Sequence, residues 1–170
     1  MLKFLLDSHT LIWTLYEVRL LPLDVQSILT DERNELLISH VSIWEIVDKA
    51  AKFHLPMAGT SADAILRDIR GIHATLLPIN LEDVVSSVKL PRHHHDPLDR
   101  VLIAQARRLD ATLLSKDGKF KQVRREAVLG LRISYWTGAA GRIAVYTFSL
   151  CETLLCRVGC CWVSVLGWFP

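Results

Sequence analysis

The first 150 residues of this 170-residue chain contain no cysteine. All four cysteines, Cys151, Cys156, Cys160 and Cys161, lie in the last twenty positions. A disulfide framework is therefore excluded for the main part of the chain, as is usual in a reducing cytoplasm. The cysteine spacing includes no Cys-x₂-Cys pair and no histidine accompanies it, so a zinc site is not expected there.

Long uninterrupted apolar runs are also lacking. The N-terminal run that ends at Asp7 is too short for the apolar region of a secretory signal. Residues 143–170 are apolar, but Glu152 and Arg157 interrupt them, and the run after Arg157 is shorter than the roughly 20 residues that cross a membrane. We therefore expect a cytoplasmic protein without a membrane partner.

A strong net charge is missing as well, since the formal value is only +2. A nucleic-acid partner must then be argued from local clusters. The densest basic cluster could steer a phosphate backbone or be a solvated surface, and the sequence favours neither interpretation. The cluster comprises Lys116, Lys119, Lys121, Arg124 and Arg125. His93, His94 and His95 are better explained as a solvated loop than as a transition-metal site.

What the sequence does contain is a regular alternation of apolar strand patterns and amphipathic helix patterns. Strands are predicted at 3–6, 35–39, 75–79 and 111–115, and helices at 11–16, 22–30, 42–53, 62–70, 81–88 and 98–109. Such alternation favours an α/β layer fold with a mostly parallel sheet. Trp44 falls on the apolar side of its predicted helix, so we expect it in the core.

The character of the chain changes after Trp136. Residues 137–141 read Thr-Gly-Ala-Ala-Gly, a linker-like composition, and the apolar segment with the cysteines follows. We therefore predict a domain over residues 1–136 and a C-terminal extension of unknown role over 137–170. The abrupt change also suggests a non-homologous extension, and translation out of frame is one explanation.

Four acidic residues are predicted to lie at one edge of the sheet. Asp7 and Asp117 each directly follow an apolar strand. Glu45 and Asp99 each lie in a predicted first helical turn, Glu45 at capping-box spacing from Ser42. Because loops and helix N-termini meet at the carboxyl ends of parallel strands, all four carboxylates can reach the same rim.

Carboxylates gathered in this way repel one another, and a divalent cation relieves the repulsion. Hard oxygen ligands suit Mg²⁺ or Mn²⁺, and such ions activate water for hydrolysis of phosphodiesters. The alternative is that each residue is only a helix cap or a solvated terminus. Asp99 and Glu45 are well explained by the helix dipole, whereas Asp7 and Asp117 fit that alternative less well.

Four sequence blocks contain these acidic residues. They are Leu-Leu-Asp-Ser-His at 5–9, Ser-Ile-Trp-Glu-Ile at 42–46, His-Asp-Pro-Leu-Asp-Arg-Val-Leu-Ile-Ala-Gln-Ala at 95–106 and Leu-Ser-Lys-Asp at 114–117. Together they resemble the PIN-domain toxins of VapC-type toxin–antitoxin pairs. They occur in the family's order and at similar spacing over residues 1–136, and together they are a specific signal. Departures are mild, with Leu98 where many relatives have Phe and Ser8 where many have Thr.

The resemblance implies a PIN-like three-layer fold, with a mostly parallel central sheet flanked by helices. It also implies a divalent-metal-dependent endoribonuclease that hydrolyses RNA, using Mg²⁺ or Mn²⁺, with a cognate antitoxin and a homodimeric state. The positions that match the family's catalytic and metal-site residues are Asp7, Glu45, Asp99 and Asp117. Asp7 and Asp99 are the strongest candidates for direct ligands, while Asp96 competes with Asp99 but stands at a helix cap.

Two other functions remain open on sequence grounds. A catalytically inactive PIN-like module would bind RNA or protein without cleaving, although all four acidic positions are present here. A receiver-like phospho-acceptor domain also gathers carboxylates and Mg²⁺ at a sheet edge. That class requires an acidic pair after the first strand, whereas Asp7 stands alone.

Overall fold

A single sheet organises the computed structural model, which describes residues 1–53, 61–90, 96–117, 132–135 and 144–146. The strands are β1 (Leu2–Leu6), β2 (Asn34–Ser39), β3 (Thr75–Leu77), β4 (Thr112–Ser115), β5 (Arg132–Tyr135) and β6 (Ala144–Tyr146). Their spatial order is β3-β2-β1-β4-β5-β6. The first five are mutually parallel, and β6 pairs antiparallel with β5 at the edge.

Helices connect the parallel strands. They are α1 (Ser8–Tyr16), a 3₁₀ helix (Val18–Leu20), α2 (Leu23–Thr30), α3 (His40–Phe53), α4 (Ala62–Gly71), α5 (Leu81–Lys89) and α6 (Pro97–Arg108). Among these helices of the described residues, none is long and apolar enough to cross a membrane.

The sheet is covered on both faces, which explains why its central strands carry consecutive apolar residues, as at 4–6 and 36–38. On one face Leu5 and Leu113 pack with Leu102 and Ile103 of α6. On the other face, strand residues pack against α1, α3 and α4; this cluster includes Leu6, Ile38, Leu114, Leu11, Ile46 and Ile65. The predicted α/β fold with three layers and a mostly parallel sheet is confirmed.

Two helices begin at least two residues earlier than the sequence predicted. α1 begins at Ser8 because the Asp7 side chain caps it directly at the strand end. α3 begins at His40, since the Ser39 hydroxyl accepts a hydrogen bond from the Val41 N–H at 3.0 Å. The predicted capping box at Ser42 is therefore wrong, and Glu45 lies in the second turn of α3.

The expectation that Trp44 belongs to the core is also wrong, because this residue is 57% exposed. The buried face of α3 includes Ser42 and Ile46, one turn apart. A residue two positions from each of them points to the other side of the helix. Trp44 therefore projects away from the sheet.

The sequence did not predict β5 or β6, and it extended β3 to residue 79, whereas β3 ends at Leu77, before Pro78. β6 lies inside the predicted extension and pairs with β5 over three residues, Ala144, Val145 and Tyr146. Residues 147–170, with all four cysteines, lie outside the described part of the chain. The domain boundary at Trp136 stays a prediction.

Candidate active site

Asp7 is fixed where β1 ends and α1 begins. Its backbone N–H extends the sheet by donating to the Leu114 carbonyl at 3.2 Å. Its side chain caps α1 by accepting from the His9 N–H at 2.6 Å, and the residue is only 4% exposed. Strand pairing and helix capping together therefore hold a carboxylate in a buried position at the carboxyl edge of the sheet.

Ser115, the last residue of β4, connects two of the predicted acidic residues. Its buried hydroxyl donates to the Asp7 carboxylate and accepts from the Asp117 N–H at 3.0 Å. Asp7 and Asp117 are thus linked through one hydroxyl group. The sequence reading missed Ser115, although a serine two residues before an aspartate at a strand end is a pattern that forms local turns.

Glu45 enters the same rim from α3. Its Oε2 accepts a hydrogen bond from the Ser8 hydroxyl at 2.5 Å, and its Oε1 pairs with the Lys49 ammonium at 2.5 Å. Ser8 directly follows Asp7, so this contact ties the start of α1 to α3. The sequence reading missed both partners of Glu45, although Lys49 is four residues further along the same helix, where ion pairs are expected.

The two carboxylates differ in their electrostatics. Burial raises the pKa of Asp7, the negative charge of Glu45 raises it further, and the Ser115 hydrogen bond and His9 counteract only part of this effect. Burial also raises the pKa of Glu45, but hydrogen bonds from Lys49 and Ser8 outweigh it and leave that pKa below its ordinary value. Asp7 and Glu45 therefore interact within one acidic site.

Asp99 lies half-buried in the first turn of α6. Asp96 caps that helix by accepting from the Leu98 N–H at 2.9 Å, as the sequence predicted. The Arg100 guanidinium donates to the carbonyls of Ser87 and Leu90, each at 2.6 Å. These contacts join the first turn of α6 to the end of α5 and fix the backbone that carries Asp99.

Within the described residues, no group of three or more His, Cys, Asp or Glu side chains is arranged to hold a metal ion. The structure thus brings Asp7 and Glu45 together and links Asp117 through Ser115, but the four carboxylates do not form a complete ligand cluster. The donor set still fits Mg²⁺ or Mn²⁺, since it offers only oxygen ligands. Burial raises the pKa of Asp7 and so disfavours its charged form, which a nearby cation would stabilise.

An aromatic and cationic strip lies beside the acidic site; we define it as His9, Trp13 and Lys116. The Lys116 ammonium stands 4.3 Å from the centre of the Trp13 ring. The His9 ring meets the same indole at 6.5 Å between centroids, with an interplanar angle of 64°. The other members of the predicted basic cluster, and His93, His94 and His95, lie outside the described residues.

Among known proteins, a family model for the PIN domain matches residues 4–126. No curated protein matches the chain in sequence.

Several solved structures are similar in fold. A structure of VapBC2 from Rickettsia felis bound to a promoter DNA fragment has a TM-score of 0.58 and 12% identity, covering 79% of this chain and 99% of that one. DNA-bound VapBC from Salmonella typhimurium has a TM-score of 0.58 and 18% identity, covering 79% and 98%. The PIN domain endonuclease Utp24 has a TM-score of 0.51 and 14% identity, covering 87% and 95%.

Proposed function

Because the chain belongs to the PIN domain family, we propose that it is a divalent-metal-dependent endoribonuclease, the toxin of a toxin–antitoxin pair. One observation carries the proposal: the buried Asp7 carboxylate and Glu45, which contacts the adjacent Ser8, both lie at the carboxyl edge of the parallel sheet. This is the edge at which open α/β folds bind their ligands.

The proposed metal ligands are oxygens of Asp7, Asp99, Glu45 and Asp117, with Mg²⁺ or Mn²⁺ as the ion. When bound, the ion would lower the pKa of a water molecule and polarise the phosphodiester. The protein's own part is to hold the carboxylates in place. Ser115 and the His9 N–H fix Asp7, while Ser8 and Lys49 orient the two oxygens of Glu45.

The toxin role and the partners rest on similarity. Two of the similar structures are VapBC complexes bound to DNA, which supports a cognate antitoxin as the protein partner. A homodimer is also proposed, and apolar side chains exposed on α5, namely Leu81, Val84, Val85 and Val88, support it. We also propose a cytoplasmic location without a membrane partner, which agrees with the proposed RNA substrate and with the lack of cysteine before residue 151.

Cleavage of RNA by the full chain tests the proposal. A long RNA with single-stranded and looped regions is incubated with protein in Mg²⁺, in Mn²⁺ or in EDTA, and the products are resolved by size. The variants are Asp7→Asn and Asp99→Asn. The matched control is Asp24→Asn, because Asp24 occupies the first turn of α2 as Asp99 occupies the first turn of α6.

We expect cleavage in either metal and none in EDTA. Loss of a group that acts in the transition state typically reduces rates by a factor on the order of 10² or more, so Asp7→Asn and Asp99→Asn should be nearly inactive. Asp24→Asn should cleave as the wild type does. Cleavage that persists in EDTA, or that survives in folded Asp7→Asn, would show that this acidic site is not the nuclease centre.

A second candidate function is an inactive PIN-like module that binds RNA or protein. It is favoured by the Lys49 ammonium, which already neutralises Glu45, and by the lack of a complete metal-ligand group within the described part of the chain. RNA binding without cleavage in any metal would support it. The receiver-like alternative is disfavoured, because receivers have the strand order 2-1-3-4-5 and this sheet begins 3-2-1-4-5.

A further inference from the structure

We propose that the strip of His9, Trp13 and Lys116 is a substrate-contact site, in which Lys116 binds a phosphate of single-stranded RNA next to the acidic centre and Trp13 holds the ammonium in place. This inference rests on the proposed function for the identity of the ligand. The residues of the strip are not among the four acidic positions that match the family's site.

The position of Lys116 is set by the acidic site itself. It lies between Ser115, which donates to Asp7, and Asp117, whose N–H donates back to Ser115. Its side chain is exposed, and the ammonium stands over the indole ring of Trp13 at 4.3 Å from the centroid. The lysine is therefore the direct neighbour of Asp117 and of the serine that binds Asp7, and its charge lies at the exposed surface of the site.

Trp13 is suited to fix this charge. It is half-buried and packs against the hydrophobic cluster that α1 shares with the sheet, so the ring is anchored on its inner side. The face of an indole attracts an ammonium group through its quadrupole. His9, one helical turn earlier, contacts the ring edge-on and is itself tied to Asp7 by its backbone N–H.

The chemistry of the site identifies the ligand. An anionic acidic centre repels a phosphodiester backbone unless cations lie beside it. Proteins that bind single-stranded nucleic acid combine such cations with aromatic side chains that tolerate any sequence. A lysine stacked on tryptophan at the rim meets both requirements, so we assign the strip to the phosphate that follows or precedes the cleaved bond.

Binding measured without cleavage tests the inference. Fluorescence anisotropy of a labelled single-stranded RNA of about 12 nucleotides is recorded with the full chain in EDTA and, separately, in Ca²⁺. Affinity is measured at several salt concentrations for the wild type, Lys116→Ala, Lys116→Arg, Trp13→Leu and Trp13→Phe. Lys52→Ala is the matched control, since Lys52 is an exposed lysine at the far end of α3 and loses the same charge.

We expect Lys116→Ala to weaken binding on the order of fivefold and to reduce the slope of log K against log salt by about 0.7, the value for one phosphate contact on a single strand. Lys116→Arg, which keeps the positive charge, should have the affinity and the salt slope of the wild type. Trp13→Leu should act like Lys116→Ala, whereas Trp13→Phe, which keeps an aromatic face, should lie close to the wild type. Lys52→Ala should change the affinity far less.

An unchanged salt slope in Lys116→Ala would overturn the inference, as would a wild-type chain that fails to bind the RNA in both buffers. Weaker capture of a protein partner by Lys116→Ala, with RNA binding intact, would assign the strip to an acidic protein surface instead. Because cleavage is not measured, a folded chain that binds through Lys116 but never cuts contradicts only the nuclease proposal. A chain that cuts but binds independently of Lys116 contradicts only this inference.

Discussion

At the scale of single residues, the acidic site depends on how one buried charge is tolerated. Asp7 is almost fully enclosed, and burial raises its pKa. Two contacts compensate in part, the hydrogen bond from Ser115 and the one from the His9 N–H. The buried charge therefore destabilises the folded protein, and a bound divalent ion would offset this effect. The proposed metal site needs a charge that lowers the stability of the metal-free fold.

The first prediction concerns Asp7→Asn in the metal-free protein. Asparagine caps helices as well as aspartate does and still accepts the His9 N–H, while it removes the buried charge. We expect the free energy of unfolding at pH 7 to rise, because the burial cost removed with the charge outweighs the helix-dipole interaction and the hydrogen bond that Ser115 donates to the carboxylate. Urea unfolding in EDTA measures this.

The pH dependence of that difference has a fixed sign. Because the folded state raises the pKa of Asp7, it binds the proton more tightly than the unfolded chain does. The cost of the charge is complete above the folded pKa and disappears below the ordinary value of 3.8. The gap between Asp7→Asn and the wild type should therefore shrink as the pH falls. A variant less stable than the wild type at pH 7 would contradict the assignment.

The second prediction concerns Ser115→Ala. The variant removes a donor to Asp7 and an acceptor of the Asp117 N–H, both in a buried position. We expect the free energy of unfolding to fall by roughly 1–2 kcal/mol, the usual cost when a buried partner is left unsatisfied. Ser86→Ala, at an exposed serine of α5, is the control and should leave urea unfolding unchanged. Equal effects of the two substitutions would refute the proposed link.

The sequence could identify Asp7 and Asp117 because each follows an apolar run that reads as a buried strand. It could not identify the contacts of Ser8 with Glu45 or of Lys116 with Trp13, since these join residues that are distant in the chain. For Trp44 the sequence made a prediction, but the prediction is wrong. An apolar side chain near a helix's buried face was predicted to be buried, but its angle on the helix leaves it exposed.

At the scale of elements, α5 and α6 are joined at both ends. Arg100 donates to carbonyls at the end of α5, and Arg108 pairs with Asp83 in the first turn of α5 at 2.7 Å. The Asp83 side chain is fully buried and also accepts the Asn80 N–H. These contacts fix the orientation of α6, and with it the turn that carries Asp99.

The third prediction follows from the ion pair between Arg108 and Asp83. Arg108→Ala leaves a buried carboxylate without its cation, and we expect a loss of roughly 2 kcal/mol in the free energy of unfolding at pH 7. Burial alone would raise the pKa of Asp83, but the Arg108 hydrogen bond and the Asn80 N–H outweigh it, so the pKa is lowered. The pair's contribution is thus complete above the ordinary pKa and is lost as the pH falls through the lowered one.

Arg33→Ala is the matched control for that prediction. Arg33 also pairs with an aspartate at 2.7 Å, but its side chain is 89% exposed, and such surface pairs contribute little. Urea unfolding at pH 7 and at acidic pH compares the two variants. Similar losses in Arg108→Ala and Arg33→Ala, or a loss in Arg108→Ala that does not shrink in acid, would argue against a stabilising role for the buried pair.

Most elements could be predicted, because periodicity determines a helix or strand wherever one face is buried. Their ends were less accurate, as at α1 and α3, where capping by Asp7 and Ser39 depends on how the preceding strand enters the helix. The strands β5 and β6 were not predicted, although β3 and β4, which are equally short, were. β6 lies in the segment that the sequence assigned to the extension.

At the scale of the whole molecule, the open question is where the domain ends. The change of composition after Trp136 predicts a boundary there, yet β6 pairs with β5 from beyond it. The fourth prediction is that a chain ending at residue 136 unfolds cooperatively, with a somewhat lower urea midpoint than a chain ending at 150, because β5 then becomes an unprotected edge. Failure of the shorter chain to fold, while the longer one folds, would move the boundary past β6.

If the carboxylates at the carboxyl edge of the sheet hold a divalent metal, Mn²⁺ should bind to them and stabilise the fold. Mn²⁺ is titrated into the full chain, and both the bound ion and the urea midpoint are measured for the wild type, Asp7→Asn and Asp24→Asn. We predict saturable binding that stabilises the wild type by about 2.7 kcal/mol at 100 times the dissociation constant. Asp24→Asn should bind Mn²⁺ and be stabilised as the wild type is, and Asp7→Asn should lose both effects. Mn²⁺ binding of equal strength in Asp7→Asn would show that these carboxylates do not hold the ion.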